Sequence, residues 1–498
     1  MIRQRHSNGG VAVVLGSLLL LAITACTQKP GDKIPISTRS VEAREYFLKG
    51  RDLFERLQAQ EAIAYFEKAI TADPNFAVAY LNLSFVVPST KEFFANLDKA
   101  VALADRVSEG ERLWILGVQA GFNGFPMQQR EYYQKLVELY PNDERVHNLL
   151  GGNYFGQQEW TQAVDAYQKA TAIAPEFSQP YNQLGYAYRF LEQYDDAKRS
   201  FEKYIELIPN DPNPYDSYAE LLMKMGEFKE SIESYRLALA INPNFVASHL
   251  GIATDLNFLE HHAEARQQLQ QLYDIARNDG EHRAALFATA VSYADEGDFP
   301  HALEELRKVY VSNAGINDAA GMAGNLIVLG NVLLEMGKTQ EAGVNFEEAL
   351  KTVLDSGLSD EVKDNNRRAY LFNMARVAIR EGDLETAEAR TVEFRQAVQA
   401  IGNANQLRLA FQLSGMIALA RKDYAKAVDD FQQGNQQDPY ILYRLALAYQ
   451  DQDDCEKAAE YFAKAANFNG LNNLNYAFIR HRAQDMLKTM MSRLMPGS

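Results

Sequence analysis

The sequence predicts an all-α solenoid made of short antiparallel helix pairs. Three observations support this fold class. Similar segments recur at a spacing of 34 residues, each copy carries small and aromatic residues at matching positions, and several copies close with a proline. Apolar residues make up 47% of the chain, which is ample for a core. The two cysteines exclude a disulfide framework, so packing between neighbouring copies must hold the chain together.

Two neighbouring segments, residues 149–175 and 183–209, show the repeat most clearly. Five positions coincide when they are aligned: Gly151 with Gly185, Tyr154 with Tyr188, Ala163 with Ala197, Tyr167 with Phe201, and Pro175 with Pro209. Small residues let two antiparallel helices approach closely, aromatic residues fill the space between pairs, and proline ends the second helix. Since one pair cannot bury its apolar face alone, stacked neighbours must supply the core.

These positions resemble the signature of the tetratricopeptide-repeat (TPR) family, with Leu-Gly and Tyr in the first helix and Ala, an aromatic and Pro in the second. The resemblance implies a right-handed superhelix of about twelve helix pairs between residues 41 and 467. The even spacing predicts a regular array over residues 41–276. Beyond it the small residue recurs at longer intervals, which predicts a stretched array over residues 277–467. Residues 468–498 are predicted to form a C-terminal capping helix.

The N-terminus is predicted to be a targeting segment. Residues 1–25 begin with Arg3 and Arg5 and continue with an apolar run over residues 11–23, which is too short to suit a spanning helix. The run ends in Ile-Thr-Ala followed by Cys26, which resembles the lipobox of bacterial lipoproteins. The resemblance implies cleavage before Cys26 and acylation of its thiol. The alternative is an ordinary secretory signal in which the cysteine is incidental.

Acylation of Cys26 would anchor the protein to a membrane on its extracytoplasmic side. Thr27 follows the cysteine, and the absence of Asp there resembles outer-membrane sorting in envelopes with two membranes. Residues 26–40 are polar, contain proline and glycine, and lack periodicity, so we predict a flexible tether. Ser40 is predicted to cap the first helix, with Glu42 in its first turn.

The charge balance argues against nucleic acid as a partner. The chain has 50 Lys and Arg residues against 66 Asp and Glu residues, a formal net charge of −16. Such a surface repels phosphate backbones, and no basic stripe compensates for it. Acidity favours solubility of a long open array and leans towards basic partners.

The sequence offers no convincing catalytic, cofactor or metal motif. His261 and His262 with Glu264 lack the spacing of a zinc-protease motif, and we expect them at a turn between helices. The acidic run 451–454 lacks the glycine of a calcium loop and is predicted to cap a helix. Cys455 follows that run, which disfavours a reactive thiolate. We therefore predict a protein that is not an enzyme.

The TPR resemblance implies that first helices line a concave groove whose exposed positions bind a partner. Carrying this geometry onto the chain selects nine residues: Asn148, Phe155, Asn182, Tyr186, Arg189, Asp216, Glu220, Lys224 and Asn257. Their alternative role is a solvated polar face. The set departs from the carboxylate clamp of chaperone-binding TPR proteins, because Asn148 is followed four residues later by Gly152. Trp114 and Phe125 mark a second candidate surface, for which irregular core packing is the alternative.

Three hypotheses of function follow. The first is a scaffold that holds a solenoid at the bacterial envelope and binds envelope proteins or peptide segments in its groove. The second is a ligand-sensing or regulatory solenoid for a peptide or glycan. The third, a hydrolase of envelope polymers, is the least favoured, because no pair of carboxylates is singled out for acid–base chemistry.

Overall fold

The structure, a computed structural model, describes residues 33–494. Within these residues the chain forms twelve antiparallel helix pairs and a closing helix, with no strand, which confirms the predicted all-α solenoid. The helices are α1 Val41–Glu55, α2 Ala59–Ala72, α3 Ala77–Ser84, α4 Thr90–Leu103, α5 Glu109–Phe122, α6 Pro126–Leu139, α7 Glu144–Gly156, α8 Trp160–Ile173, α9 Gln179–Phe190, α10 Tyr194–Leu207, α11 Pro212–Met225, α12 Phe228–Ile241, α13 Val246–Phe258, α14 His262–Ile275, α15 Asp279–Glu296, α16 Phe299–Gly315, α17 Ala319–Glu335, α18 Thr339–Leu354, α19 Asp360–Glu381, α20 Leu384–Ile401, α21 Ala404–Ala420, α22 Tyr424–Gln432, α23 Pro439–Gln450, α24 Cys455–Ala466 and α25 Leu474–Leu494. A short 3₁₀ helix, Ala104–Arg106, precedes α5.

The small and aromatic positions of the repeat form the contact within each pair. Gly151 of α7 lies against Tyr167 of α8, and a methyl group added at Gly151 would approach the tyrosine ring to 2.5 Å. Gly185 and Phe201 repeat this contact in the next pair, again at 2.5 Å. Both rings are fully buried. The aromatic side chain of each second helix thus packs directly on the backbone of its first helix, as the 34-residue pattern predicts.

Local sequence signals set several helix ends. The hydroxyl oxygen of Ser40 accepts a hydrogen bond from the backbone nitrogen of Ala43 at 3.1 Å, which confirms the predicted cap of α1. Helix α3 has only 8 residues and ends before Pro88, a residue that cannot continue a helix without losing a backbone hydrogen bond. Gly226 ends α11 with φ of 84°, a left-handed conformation that favours glycine.

Helix length changes at α15. Helices α1 to α14 have at most 15 residues, whereas α15 has 18 and α19 has 22. The added turns account for the longer intervals between small residues in the second part of the chain. A domain boundary between residues 276 and 277 stays a prediction, because stacking of neighbouring pairs continues across it.

The array winds back on itself, so that early pairs contact pairs six to eight places further along the chain. Hydrogen bonds across this contact join Arg277 to Glu61 at 2.7 Å, Arg283 to Pro88 O at 2.6 Å, Thr90 N to Asp318 at 3.0 Å, Asn403 to Gly124 O at 3.0 Å, and Arg408 to Gln157 O at 3.1 Å. The turns between helices in one coil of the array therefore meet helix starts in the next coil. These contacts fix how tightly the array is wound.

The closing helix α25 also joins distant parts of the chain. It packs on α23 and α24 and, from its other side, on α15. Arg480 of α25 is almost fully buried, and its guanidinium donates to Asp295 at 2.5 and 2.8 Å and to Glu260 at 2.8 Å. It also donates to the carbonyl of Asn257 at 3.2 Å. The helix predicted as a C-terminal cap is thus tied into the middle of the array.

Candidate functional site

The concave side of the first four helix pairs encloses a cavity of about 480 Å³. The first helix of each pair contributes one stripe of side chains to it. Lining residues recur every three or four positions, which keeps them on one helix face. They are Arg44, Phe47, Arg51 and Phe54 on α1, Val78 and Asn82 on α3 with Phe85 at its end, Glu111, Trp114, Val118 and Phe122 on α5, and Arg145, Asn148 and Leu149 on α7.

One end of the cavity is aromatic. The rings of Phe54 and Phe85 stack with centroids 5.8 Å apart, and Phe122 lies 6.4 Å from Phe85. Phe122 is 48% exposed, an unusual degree for a large aromatic side chain. This end offers stacking and apolar contact to an occupant.

The other end is charged and holds two arginines. Arg145 of α7 reaches across to Glu55 of α1 with a bidentate pair of hydrogen bonds, 2.8 and 3.0 Å long. Arg51 also lines the cavity, and its nearest carboxylate oxygen, on the same Glu55, is 3.9 Å away. Burial, reinforced by the charge of Arg145, lowers the pKa of Arg51. The protein therefore compensates the charge of Arg145 well and that of Arg51 poorly.

Three polar groups that line the cavity lack hydrogen-bond partners among residues 33–494. The guanidinium of Arg51 and the buried indole nitrogen of Trp114 are donors, and the buried Oδ1 of Asn148 is an acceptor. The other end of the Asn148 amide is engaged, since Nδ2 donates to Gln179 at 3.0 Å. Buried polar groups in proteins are nearly always paired, so three unpaired groups around one cavity indicate a place for a ligand.

The chain's own N-terminal segment forms one wall of this cavity. Ile34 N donates to Asp143 at 2.8 Å, and Ser37 N donates to Glu111 at 2.7 Å. Each carboxylate uses its other oxygen to cap its own helix, Asp143 on α7 and Glu111 on α5. Residues 33–40, which the sequence assigns to the flexible tether, are thus held by specific hydrogen bonds. The segment is held because the two capping carboxylates, Asp143 and Glu111, accept hydrogen bonds from its backbone. These partners lie far away in sequence, so the composition of the segment does not reveal them.

The structure places most of the predicted groove residues in polar contacts between neighbouring first helices. Of the nine, Asn148 lines the cavity, Phe155 packs with Trp160 and Phe190, and none is exposed. Hydrogen bonds link neighbouring first helices through Tyr186 to Glu220 at 3.1 Å, Arg189 to Glu220 at 3.2 Å, Ser248 to Asp216 at 2.7 Å, and Ser292 to Asn257 at 2.7 Å. Asn182 is buried with an unpaired Oδ1. A binding role for these residues stays a prediction, while their contacts already stabilise the stacking.

The C-terminal link covers Lys224, another of the nine predicted groove residues. Nζ of Lys224 donates to the carbonyl of Phe468 at 2.6 Å and lies 4.7 Å from the Phe468 ring centroid. Asn469 donates in turn to the Lys224 carbonyl at 3.3 Å. Burial, with the charge of Arg189, lowers the pKa of Lys224 to about 8. A partner could reach Lys224 only if this link moved.

Two buried aspartates lie on neighbouring first helices, Asp216 on α11 and Asp255 on α13. Burial and the charge of Glu220 raise the pKa of Asp216 well above its ordinary value, against the hydrogen bond from Ser248. Burial raises the pKa of Asp255 to about 8, opposed by the hydroxyl of Ser231. Asp255 is fully buried, and Ser231 directs its hydrogen to the carbonyl of Ala219 at 2.9 Å. Burial therefore favours the neutral form of both aspartates.

One cluster has the donor set of a metal site. Glu260, His262 and His481 place ligand atoms within 4.8 Å of one another, although the histidines are far apart in sequence. The guanidinium of Arg480 lies among them and donates to Glu260 at 2.8 Å. His262 hydrogen-bonds to Asp295 at 2.9 Å, as Arg480 does. An arginine thus supplies the positive charge that balances these carboxylates, and the cluster ties α25 to α13, α14 and α15.

The remaining motifs have structural roles. His261 and His262 lie at the turn into α14, as the sequence predicts. Asp454 caps α24, its carboxylate accepting a hydrogen bond from Lys457 N at 3.1 Å, and Cys455 is half-buried in the first turn. Trp114 lines the cavity and also packs against the core. From the sequence, the surface around Trp114 is only the second candidate, after the nine groove residues. The sequence pattern that could have revealed this role is a stripe on α5 with a spacing of three or four residues, formed by Glu111, Trp114, Val118 and Phe122.

Comparison with known families agrees with the helix pairs. Family models of the tetratricopeptide repeat match residues 58–76, 178–211 and 213–245, and a second model of the same repeat matches residues 440–467. The matches fall on helices that the structure pairs in the repeat's arrangement. The chain is a tetratricopeptide-repeat protein. TPR proteins bind other proteins or peptides, so the concave surface is where a partner is sought.

Solved TPR structures resemble parts of this TPR protein. A tetratricopeptide repeat protein from Parabacteroides merdae shares 15% identity, covering 53% of this chain and 99% of its own, with a TM-score of 0.36. Residues 41 to the end of MamA from Desulfovibrio magneticus share 15% identity, covering 34% of this chain and 95% of their own, with a TM-score of 0.29. No curated protein matches the chain in sequence. The family assignment rests on the repeats themselves.

The predicted anchor lies outside the described residues, since residues 1–25 and Cys26 precede Lys33. Among the helices of residues 33–494, none is long and apolar enough to cross a membrane.

Proposed function

We propose that this TPR protein is a non-catalytic scaffold that binds a segment of another protein in the cavity of its first four helix pairs. The observation that carries the proposal is the set of unpaired groups of Arg51, Trp114 and Asn148 around an aromatic-lined cavity. Two donors and one acceptor beside apolar surface match the mixed chemistry of a peptide.

The N-terminal segment supports this proposal. The backbone nitrogens of Ile34 and Ser37 already bind to the capping carboxylates of α7 and α5. This part of the array therefore holds a non-helical chain partly through main-chain hydrogen bonds, in addition to side-chain contacts such as that of Lys33 with the Asn142 carbonyl. A partner segment would lie beside residues 33–37, on the opposite wall formed by α1 and α5.

The proposal includes a location. Acylation of Cys26 would tether the array to the bacterial envelope, on the outer membrane where the envelope has two membranes. Six residues separate Cys26 from Lys33, a reach of at most about 25 Å, so the cavity would lie near the membrane surface and meet membrane-associated proteins. Replacing Cys26 by Ser should abolish incorporation of radiolabelled fatty acid and move the protein to the soluble fraction. Unchanged membrane association would refute the anchor.

A ligand-sensing solenoid is the second candidate. The observation that favours it is the enclosure of the aromatic end by Phe54, Phe85 and Phe122, which suits a compact ligand. Glycans and short peptides both stack on such rings. Thermal stabilisation by a small molecule, in the absence of any protein partner, would favour this candidate over a scaffold.

The scaffold is tested by affinity capture from cells that express the full-length chain. Phe122→Glu places a charge at the aromatic end and should abolish capture of partners, because burying an unpaired charge is costly. Val344→Glu on α18, where Val344 is 64% exposed and outside the cavity, is the matched control and should capture as the wild type does. Equal capture by the Phe122 variant and the wild type would contradict the proposed site.

A further inference from the structure

We infer that the cavity selects a peptide segment in which an apolar side chain lies next to a carboxylate. The inference deepens the proposed function and rests on it. The carboxylate belongs either to an Asp or Glu side chain or to the C-terminus of the partner. Arg51 of α1 is the residue that binds it. The aromatic end formed by Phe54, Phe85 and Phe122 takes the apolar side chain.

The guanidinium of Arg51 has no hydrogen-bonded carboxylate among the described residues. Glu55, the nearest carboxylate, is already committed to two hydrogen bonds from Arg145 and lies 3.9 Å from Arg51. The side chain of Arg51 is only 22% exposed, so water compensates it incompletely. A guanidinium forms its strongest pairs with carboxylates, which accept two parallel hydrogen bonds. An anionic group of the bound ligand therefore supplies the hydrogen-bond partner that Arg51 lacks.

The other cations of the wall compete less well for the anion. Arg44 is exposed, so water compensates its charge. Arg145 is engaged by Glu55, and Lys33 is engaged by Glu144 and by the carbonyl of Asn142 at 2.9 Å. The acidic groups on the cavity wall are engaged too. Asp143 and Glu111 each accept hydrogen bonds from their own helix start and from the N-terminal segment. The wall carries four cations and four carboxylates, and Arg51 is the one shielded cation among them without a hydrogen bond to a carboxylate of the described chain.

The other unpaired groups identify the occupant as a peptide. The indole nitrogen of Trp114 donates, so it suits a carbonyl. Oδ1 of Asn148 accepts, so it requires an N–H group on the occupant. A simple aliphatic or aromatic acid has a carboxylate but no N–H group. A peptide supplies all three partners together.

The test measures binding of acetylated tetrapeptide mixtures to the purified full-length protein, with fluorescence of Trp114 as readout in a Trp160→Phe background. Three sets share one variable Phe, Leu or Ile position: free C-termini, amidated C-termini with an Asp, and amidated C-termini without an acid. We expect binding of the first two sets, at least about tenfold tighter than the neutral set. The set that binds more tightly identifies the source of the carboxylate. 3-Phenylpropanoate, which lacks an N–H group, should bind more weakly than both.

Arg51→Met separates recognition from folding. Since Arg51 is half-buried without a hydrogen-bond partner in the described chain, the variant should melt at or above the wild-type temperature and lose the preference for acidic peptides. Arg236→Met, at an exposed position on α12, is the control and should leave the preference intact. Equal binding of neutral and acidic sets, or a preference that survives Arg51→Met, overturns the inference but leaves a peptide-binding cavity. If no set binds, both the inference and the proposed cavity fail.

Discussion

Replacing Asp255 by Asn should stabilise the protein, and the gain should depend on pH. Asp255 is fully buried in α13, where neither carboxylate oxygen accepts a hydrogen bond of ordinary geometry from the described residues. Burial raises its pKa to about 8, against an ordinary value of 3.8. Asparagine has nearly the same shape and carries no charge, so it removes the ionisation without leaving a void.

The sign and size of the effect of Asp255 on the free energy of unfolding follow from its pKa in the folded chain and its ordinary pKa. Below pH 3.8 the carboxyl group is protonated in both the folded and the unfolded chain and contributes nothing. Between about pH 4 and pH 8 the unfolded chain ionises while the folded chain keeps the proton, so the free energy of unfolding falls by about 1.4 kcal/mol per pH unit. By pH 7 this amounts to at most about 4 kcal/mol, and about 2 kcal/mol is realistic with partial hydration.

The assay is urea denaturation followed by helical circular dichroism at about pH 4.5 and about pH 7. Asp255→Asn should shift the urea midpoint upwards at neutral pH and by much less at about pH 4.5. Asp165→Asn on the exposed face of α8 is the control and should change the midpoint little at either pH. A variant that is less stable at neutral pH, or a difference that does not shrink on acidification, would refute this assignment of the buried carboxyl.

Three further predictions concern packing, the closing helix and the tether. Gly151→Ala should destabilise by about 1–3 kcal/mol because its methyl group meets Tyr167, whereas Gly152→Ala, with open space around it, should stabilise by about 0.5–1 kcal/mol; thermal melts compare the two. Asp295→Asn should destabilise by about 3–5 kcal/mol by leaving Arg480 buried without its partner, and hydrogen exchange in α25 should rise. Ile34→Pro removes the N–H group that Asp143 accepts, and should raise hydrogen exchange of residues 33–40 while that of α1 stays unchanged.

The pH dependence of Asp295 should oppose that of Asp255. Burial raises the pKa of Asp295, but hydrogen bonds from His262 and Arg480 outweigh it and hold the pKa below its ordinary value. Its contribution is therefore present above the ordinary pKa and is lost as the pH falls through the folded value. Asp295→Asn should accordingly be most destabilising at neutral pH.

The helix pairs could be predicted from the sequence because their determinants are local. Gly151 and Tyr167 lie within one 34-residue copy, and their contact depends only on two neighbouring helices. The winding of the array could not be predicted in the same way. The contact of Asn403 with Gly124 depends on small rotations accumulated over eight helix pairs, which no single repeat encodes.

The candidate site was predicted in outline only. Helix periodicity selects Lys224 and Glu220 on α11, but it does not show that the link at Phe468 covers Lys224. The same periodicity read on α1 gives the stripe that ends in Arg51 and Phe54, which lines the cavity. Those residues resemble any amphipathic helix until the partners of Arg51 are known, so their role required the structure.

The central claim is that the cavity of the first four pairs receives a segment of another protein. Photocrosslinking in cells tests it most directly, with a photoreactive phenylalanine analogue at Phe122 in the cavity or at Val344 on α18. The account predicts adducts from Phe122 that map to one defined segment of an envelope protein, with an acidic residue beside an apolar one, and no such adduct from Val344. Absence of adducts from Phe122, or the same adducts from both positions, would contradict it.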